Sequence, residues 1–137
     1  MVRSTLLALA APVALAATLF SPGTAEAANR FAVTGIENKS THTITYQYKW
    51  GDDPWHTATL KPGETRLHWW TYSKANENKS PALRVRFDSE FDPKQKPFFI
   101  EYALKRSAAP AHDWEDAHKY VFTNDGNKFF IDLHEKK

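Results

Sequence analysis

The sequence predicts an all-β domain, an antiparallel β-sandwich of seven to eight short strands and immunoglobulin-like size, preceded by a signal peptide. Three observations carry this expectation. Apolar residues recur at every second position in runs of strand length, the period that buries one face of a strand. Clusters of Gly, Pro, Asn and Asp separate those runs. Aromatic residues, which favour strands, make up 14% of the chain, and all five tryptophans lie beyond residue 27.

The elements follow in order. Phe31 to Glu37 is a first strand, ended by Asn38-Lys39-Ser40. Thr43 to Trp50 is the clearest, with Ile44, Tyr46, Tyr48 and Trp50 on one face and Thr43, Thr45, Gln47 and Lys49 on the other. Gly51-Asp52-Asp53-Pro54 is a turn, and Trp55 to Leu60 the next strand. Lys61-Pro62-Gly63-Glu64 has a type II signature, because Pro pre-sets φ and Gly accepts φ > 0. Thr65 to Tyr72 follows, then a polar loop from Ser73 to Ser80. Leu83, Val85 and Phe87 alternate with Arg84 and Arg86, so a basic strip faces outward. Asp88 to Pro97 is a charged loop, Phe98 to Lys105 a strand, and Arg106 to Ala117 irregular, with one turn around Asp113-Trp114-Glu115-Asp116. Lys119 to Thr123 and Lys128 to Leu133 form a hairpin across Asn124-Asp125-Gly126-Asn127. In that hairpin Tyr120, Phe122, Phe129 and Ile131 share one face, and Val121 and Phe130 lie on the other.

Register can be argued from the hydrophobic set, since a one-residue slip turns every side chain over. A Leu60–Thr65 pair across the Pro-Gly turn places Ala58, Leu60, Leu67 and Trp69 on the core face. Pairing Trp50 with His56 aligns Ile44, Tyr46, Tyr48 and Trp50 with that face. Trp55 and Trp70 then become a cross-strand pair outside, beside Thr57, Arg66 and His68. Those five residues are the candidate binding platform, suited to stacking on a sugar or another flat ligand. The competing reading is that the two tryptophans serve packing.

Residues 1–27 read as an export signal. Arg3 lies in a short positive head, Leu6 to Phe20 is apolar, and a turn-prone tail ends in Ala25-Glu26-Ala27, so cleavage is expected after Ala27. The apolar run rises about 22 Å as a helix, short of the roughly 30 Å hydrocarbon core. Residues 28–137 are then one domain, secreted or periplasmic, with no integral membrane segment. The chain has no cysteine, which excludes disulfides, Cys-based metal sites and Cys nucleophiles. Net charge is +2 with the signs interspersed, so nucleic acid is not an expected partner.

Other chemistries fare less well. His112, Asp113, Glu115, Asp116 and His118 are the densest set of metal-ligand types, but His-x5-His does not put both rings on one helical face, and no metal or other cofactor is expected. No Gly-x-Ser-x-Gly elbow occurs, and the glycines beyond the signal, Gly35, Gly51, Gly63 and Gly126, are isolated, so no phosphate loop exists. Asn38-Lys39-Ser40 and Asn78-Lys79-Ser80 match a short glycosylation pattern. Tyr46-x-Tyr48-x-Trp50-Gly51-Asp52, Leu60-x-Pro62-Gly63-x-Thr65, His68-x-Trp70 and the ending Tyr120-x-Phe122, Asp125-Gly126, Ile131-x-Leu133 resemble small exported bacterial all-β proteins of unknown function. That resemblance implies a β-sandwich and an envelope location and transfers no catalytic residue. The sequence thus leads to a non-enzymatic binding protein with a glycan or protein partner. A small hydrolase or metal-dependent enzyme built on His112–His118, and a structural or assembly subunit, are the alternatives.

Overall fold

The computed structural model describes residues 27–136, so the expected export signal lies outside them but for Ala27. The described residues form nine strands and no helix. These are β1 (Phe31–Asn38), β2 (Ile44–Trp50), β3 (His56–Leu60), β4 (Thr65–Thr71), β5 (Leu83–Asp88), β6 (Phe99–Leu104), β7 (Ser107–Ala109), β8 (His118–Asn124) and β9 (Ile131–Glu135). Eight coincide with the alternating runs of the sequence. The ninth, β7, falls in the stretch expected to be irregular: three small residues carry no readable period, and β7 exists because it pairs with β1.

The strands make two antiparallel-dominated sheets. One runs β4-β1-β8-β9 with β7 also on β1; the other runs β3-β2-β5-β6. The pairing of β1 with β8 is parallel. One core joins the sheets: Ile36, Tyr120, Phe122, Ile131 and Leu133 meet Ile44, Tyr46, Leu60, Leu83, Val85 and Phe87. β1 is buried on both faces. Its outer side carries Val33, packed with Ala109, Ala117 and Leu67. Gly35 lies under the Trp114 indole, whose Cζ3 would sit 2.5 Å from any Cβ placed there, so only glycine admits the ring.

The expected Leu60–Thr65 pairing does not form. β3 and β4 lie in different sheets, and β4 pairs with β1, Ile36 opposite Arg66 and Thr34 opposite His68. The Pro-Gly turn is present, with Gly63 at φ +87° and a Glu64 N–H to Lys61 carbonyl bond of 3.0 Å, yet it carries the chain from one sheet to the other. Tyr48 pairs with His56 and Tyr46 with Ala58, two residues away from the expected register. An even slip preserves the faces, so the core set of β2 and β3 survives. The last hairpin turns through a longer loop than Asp-Gly implied. Asp125 N–H reaches the Phe130 carbonyl at 2.9 Å, and Gly126, not Asp125, has the positive φ. Leu133 takes the core place expected for Phe129.

Asn38 holds the corner where both sheets exchange strands. Its buried Nδ2 donates to the carbonyls of His42 (2.8 Å) and Leu60 (2.9 Å), and its Oδ1 accepts from the Ser40 amide (2.9 Å) and hydroxyl (2.7 Å). The main chain adds Asn38 N–H to Glu64 carbonyl at 2.9 Å and Gly63 N–H to Asn38 carbonyl at 2.7 Å. An amide committed in this way is closed to glycosylation in the folded protein, whereas Asn78 is exposed. Asn38→Ala strands several buried polar groups and should lower the unfolding free energy by about 2–4 kcal/mol. Asn38→Asp keeps the acceptor but loses both donors and should also destabilise. Urea denaturation of the two variants, read at unchanged slope, checks this.

Candidate functional site

The free edges of β3 and β4 start together at the Lys61–Glu64 turn and run away from it in separate sheets. A cleft of about 630 Å³ opens between them. On the opposite flank the sheets are tied by backbone bonds, Ile131 N–H to Ser89 carbonyl at 3.0 Å and Phe91 N–H to Phe129 carbonyl at 2.7 Å. The cleft is therefore the side on which the inner faces reach solvent.

The pairing of β4 with β1 decides what lines it. Ala32, Thr34 and Ile36 face the core, so their partners Trp70, His68 and Arg66 face inward as well. Across the gap β2 offers Tyr46, Tyr48 and Trp50, and β3 offers His56. His68 is 4% exposed and shares a 2.8 Å hydrogen bond through Nε2 with the Tyr46 hydroxyl. Its ring centroid lies 4.2 Å from that of Tyr48, which in turn lies 5.5 Å from His56. Trp50 and Trp70, centroids 6.0 Å apart, close the far end. Burial, aided by the Arg66 charge, lowers the His68 pKa to about 4, so the imidazole is neutral at neutral pH. Burial also pushes the Tyr46 hydroxyl well above its ordinary range.

The opening continues around the edge of β4 to the outer face, where Leu67, Trp69 and Trp114 border it. Trp69 is 42% exposed and stacks on His112 at 4.1 Å with the planes 8° apart. His112 also meets the edge of Phe31 at 4.9 Å.

The five platform residues do not come together as expected. Arg66, His68 and Trp70 face the space between the sheets, whereas Trp55 and Thr57 lie on the outer face of the β3-β2-β5-β6 sheet. Trp55 there is a cation shelf, with the Arg86 guanidinium 4.0 Å and the Lys49 ammonium 5.0 Å from the ring centroid. Gln47 Oε1 accepts from Arg86 Nε at 2.7 Å, and Arg84 pairs with Glu101 at 3.1 Å, so the basic strip is internally partnered. The Trp55–Trp70 pair fails because it required β3 beside β4.

The His112–His118 segment is likewise dispersed. His112 is on the outer face against Trp69. His118, in β8 opposite Thr34, bonds Glu135 Oε2 at 2.6 Å, and that bond holds the Glu135 carboxyl below its ordinary range. Asp113 accepts from the Asp116 amide at 3.0 Å, and the Asp113 side chain raises the Asp116 pKa. The group among the described residues whose atoms could meet at one cation is instead Asp125, Asp132 and His134, within 4.8 Å of one another. Part of its capacity is spent, since Asp132 accepts from the Tyr102 hydroxyl at 2.8 Å. Phe130, on the other face of the last hairpin, meets the Phe98 ring edge-on at 6.0 Å.

Sequence reasoning missed Tyr48, Trp50 and His56 as site residues, because alternation marked the first two as core. No known protein family matches the chain, and no curated protein is similar to it in sequence.

The neutral His68 makes stability depend on pH. Its pKa is lowered from 6.5 to about 4, so the unfolded chain binds a proton before the folded one does. Its contribution is whole above about pH 6.5 and is lost as pH falls towards 4, by about 3 kcal/mol at the acid limit. Unfolding titrations of wild type and His68→Asn between those values should diverge by that amount. Superimposable profiles would contradict the assignment.

Proposed function

We propose that this protein is an exported, non-enzymatic binding module, a β-sandwich whose ligand is an envelope glycan held in the cleft between β3 and β4. The observation that carries this is that the open flank is lined by rings and hydrogen-bonding groups, Tyr48, Trp50, His56, Arg66 and His68, where a purely packing edge would be closed by aliphatic side chains. Sugar rings present apolar C–H faces and a rim of hydroxyls, and a pocket of aromatic walls with a few polar groups suits both.

The groups present favour holding a ligand over breaking a bond. A histidine with pKa near 4 is a weak general base, and its Nε2 is already engaged by Tyr46. Tyr46, with its pKa raised, is no nucleophile. A peptide adding as an extra strand on β4 fits less well than a glycan, because Arg66 puts a charge on the inward face of that edge, a device that discourages strand addition. Export rests on the ordered pattern of residues 1–27, above all Ala25-Glu26-Ala27.

Two measurements test this. Mass spectrometry of the protein recovered outside the cytoplasm should show a chain beginning at Ala28. Titration of the tryptophan fluorescence with envelope oligosaccharides should give saturable quenching. Trp69→Ala should weaken binding about tenfold, equivalent to about 1.4 kcal/mol. Phe99→Ala, an aromatic 72% exposed and away from the cleft, should leave it unchanged. The opposite pattern would move the site to β6.

A further inference from the structure

We infer that the glycan held in this cleft is acidic, and that Arg66 selects it by pairing with the carboxylate of a uronic-acid residue. The inference rests on the binding reading above and adds the charge of the ligand and the residue that reads it.

Five other cations of the described residues have settled partners. Arg84 pairs with Glu101, Lys136 with Glu37 at 3.0 Å and Lys105 with Glu135 at 3.5 Å. Arg86 is held by Gln47 and stacked on Trp55, and Arg106 donates to Ser80 Oγ and the Leu104 carbonyl, both at 3.1 Å. Among the described residues Arg66 makes no ion pair, yet β4 turns it to the side of the cleft. It lines the opening together with Tyr48, His56 and His68.

The lining offers nothing to neutralise that charge. Among the described residues no aspartate or glutamate lines the opening, whose ionisable groups besides Arg66 are His56, His68, Tyr48 and, behind them, Tyr46, while nearby Glu64 turns its carboxylate to the Lys61 amide at 2.8 Å. His68 is neutral at working pH and supplies no competing charge. A low-dielectric, ring-walled opening with one unpaired guanidinium focuses positive potential on whatever enters. The guanidinium fork matches a planar carboxylate with two parallel charge-assisted hydrogen bonds, whereas the hydroxyls of a neutral sugar accept from it without the opposite charge. Tyr48, Trp50 and Trp69 supply the faces against which the sugar ring lies. Ring and carboxylate on one residue is the chemistry of a uronic acid.

The experiment compares trigalacturonate with the same trisaccharide whose carboxyls have been reduced to hydroxymethyl groups. Both are titrated calorimetrically into wild type, Arg66→Gln and Arg66→Lys. Near-UV circular dichroism confirms that the variants keep the aromatic packing. Wild type should bind the uronate at least about tenfold more tightly than its reduced form, a margin that shrinks as salt rises. Arg66→Gln should abolish the preference, so that the two trisaccharides bind alike, and Arg66→Lys should retain part of it. Equal affinity of wild type for the two trisaccharides would overturn the acidic ligand and leave a glycan-binding cleft standing. A preference that persists in Arg66→Gln would overturn the role of Arg66. Binding of neither trisaccharide would overturn the inference and the glycan reading together.

Discussion

The architecture depends on one buried amide. Asn38 ends β1 where the chain leaves its sheet, and it faces the turn by which β3 hands the chain back. Four side-chain hydrogen bonds and two main-chain bonds join the two crossings there. A buried polar side chain costs free energy unless its donors and acceptors are used, and here all of them are. The bonds are directional, so they fix where β3 and β4 begin as well as holding them. Two strands leaving a pinned corner in separate sheets must diverge, and the cleft is the space between them.

Most of the strands were legible because the period-2 pattern is local and eight of the nine elements obey it. Partnership was not, because it depends on which edge a strand meets after the chain has changed sheets. Lys61-Pro62-Gly63-Glu64 has the chemistry of a tight turn whether it joins neighbours or opposite sheets, and the residues alone do not separate the cases. The face of β4 was then misread for a definite reason. Leu67 and Trp69 look like core against Arg66 and His68, and alternation would place them inward. Leu67 is covered instead on the outside, by Val33, Ala109 and Ala117, and Trp69 is stacked there on His112 while staying 42% exposed. A strand with shelter on both faces loses the contrast on which such arguments rely. The sequence therefore identified Arg66, His68 and Trp70 as belonging together and put them on the wrong side, and it attached Trp55 and Thr57, which belong to another surface.

A polar face turned toward a core would ordinarily be costly. Here the cost is met by burial state and partner. The His68 ring is held neutral, which removes the largest penalty of placing it inside, and its bond to Tyr46 satisfies two polar groups at once. Tyr46 lies in the main core cluster, where its ring packs against Phe122 at 5.7 Å, so the bond ties the floor of the cleft to that core. Arg66 avoids the penalty differently, by remaining at the solvent side.

These facts connect the cleft to the least regular segment of the chain. β4 can turn His68 and Arg66 inward only if Leu67 and Trp69 find shelter outside, and that shelter is built by residues 107–117. β7 positions Ala109 beside β1, His112 stacks on Trp69, and Trp114 settles on Gly35. Gly35 is thus as much a part of the site as any residue lining it. A side chain there would lift the indole, loosen the cover over Leu67 and Trp69, and weaken the reason for β4 to keep its polar face inside. The acidic and imidazole groups that made this segment resemble a ligand cluster in the sequence serve at its surface, while its small and aromatic residues do the covering. The polar lining of the cleft follows from an apolar contact on the far side of the same strand.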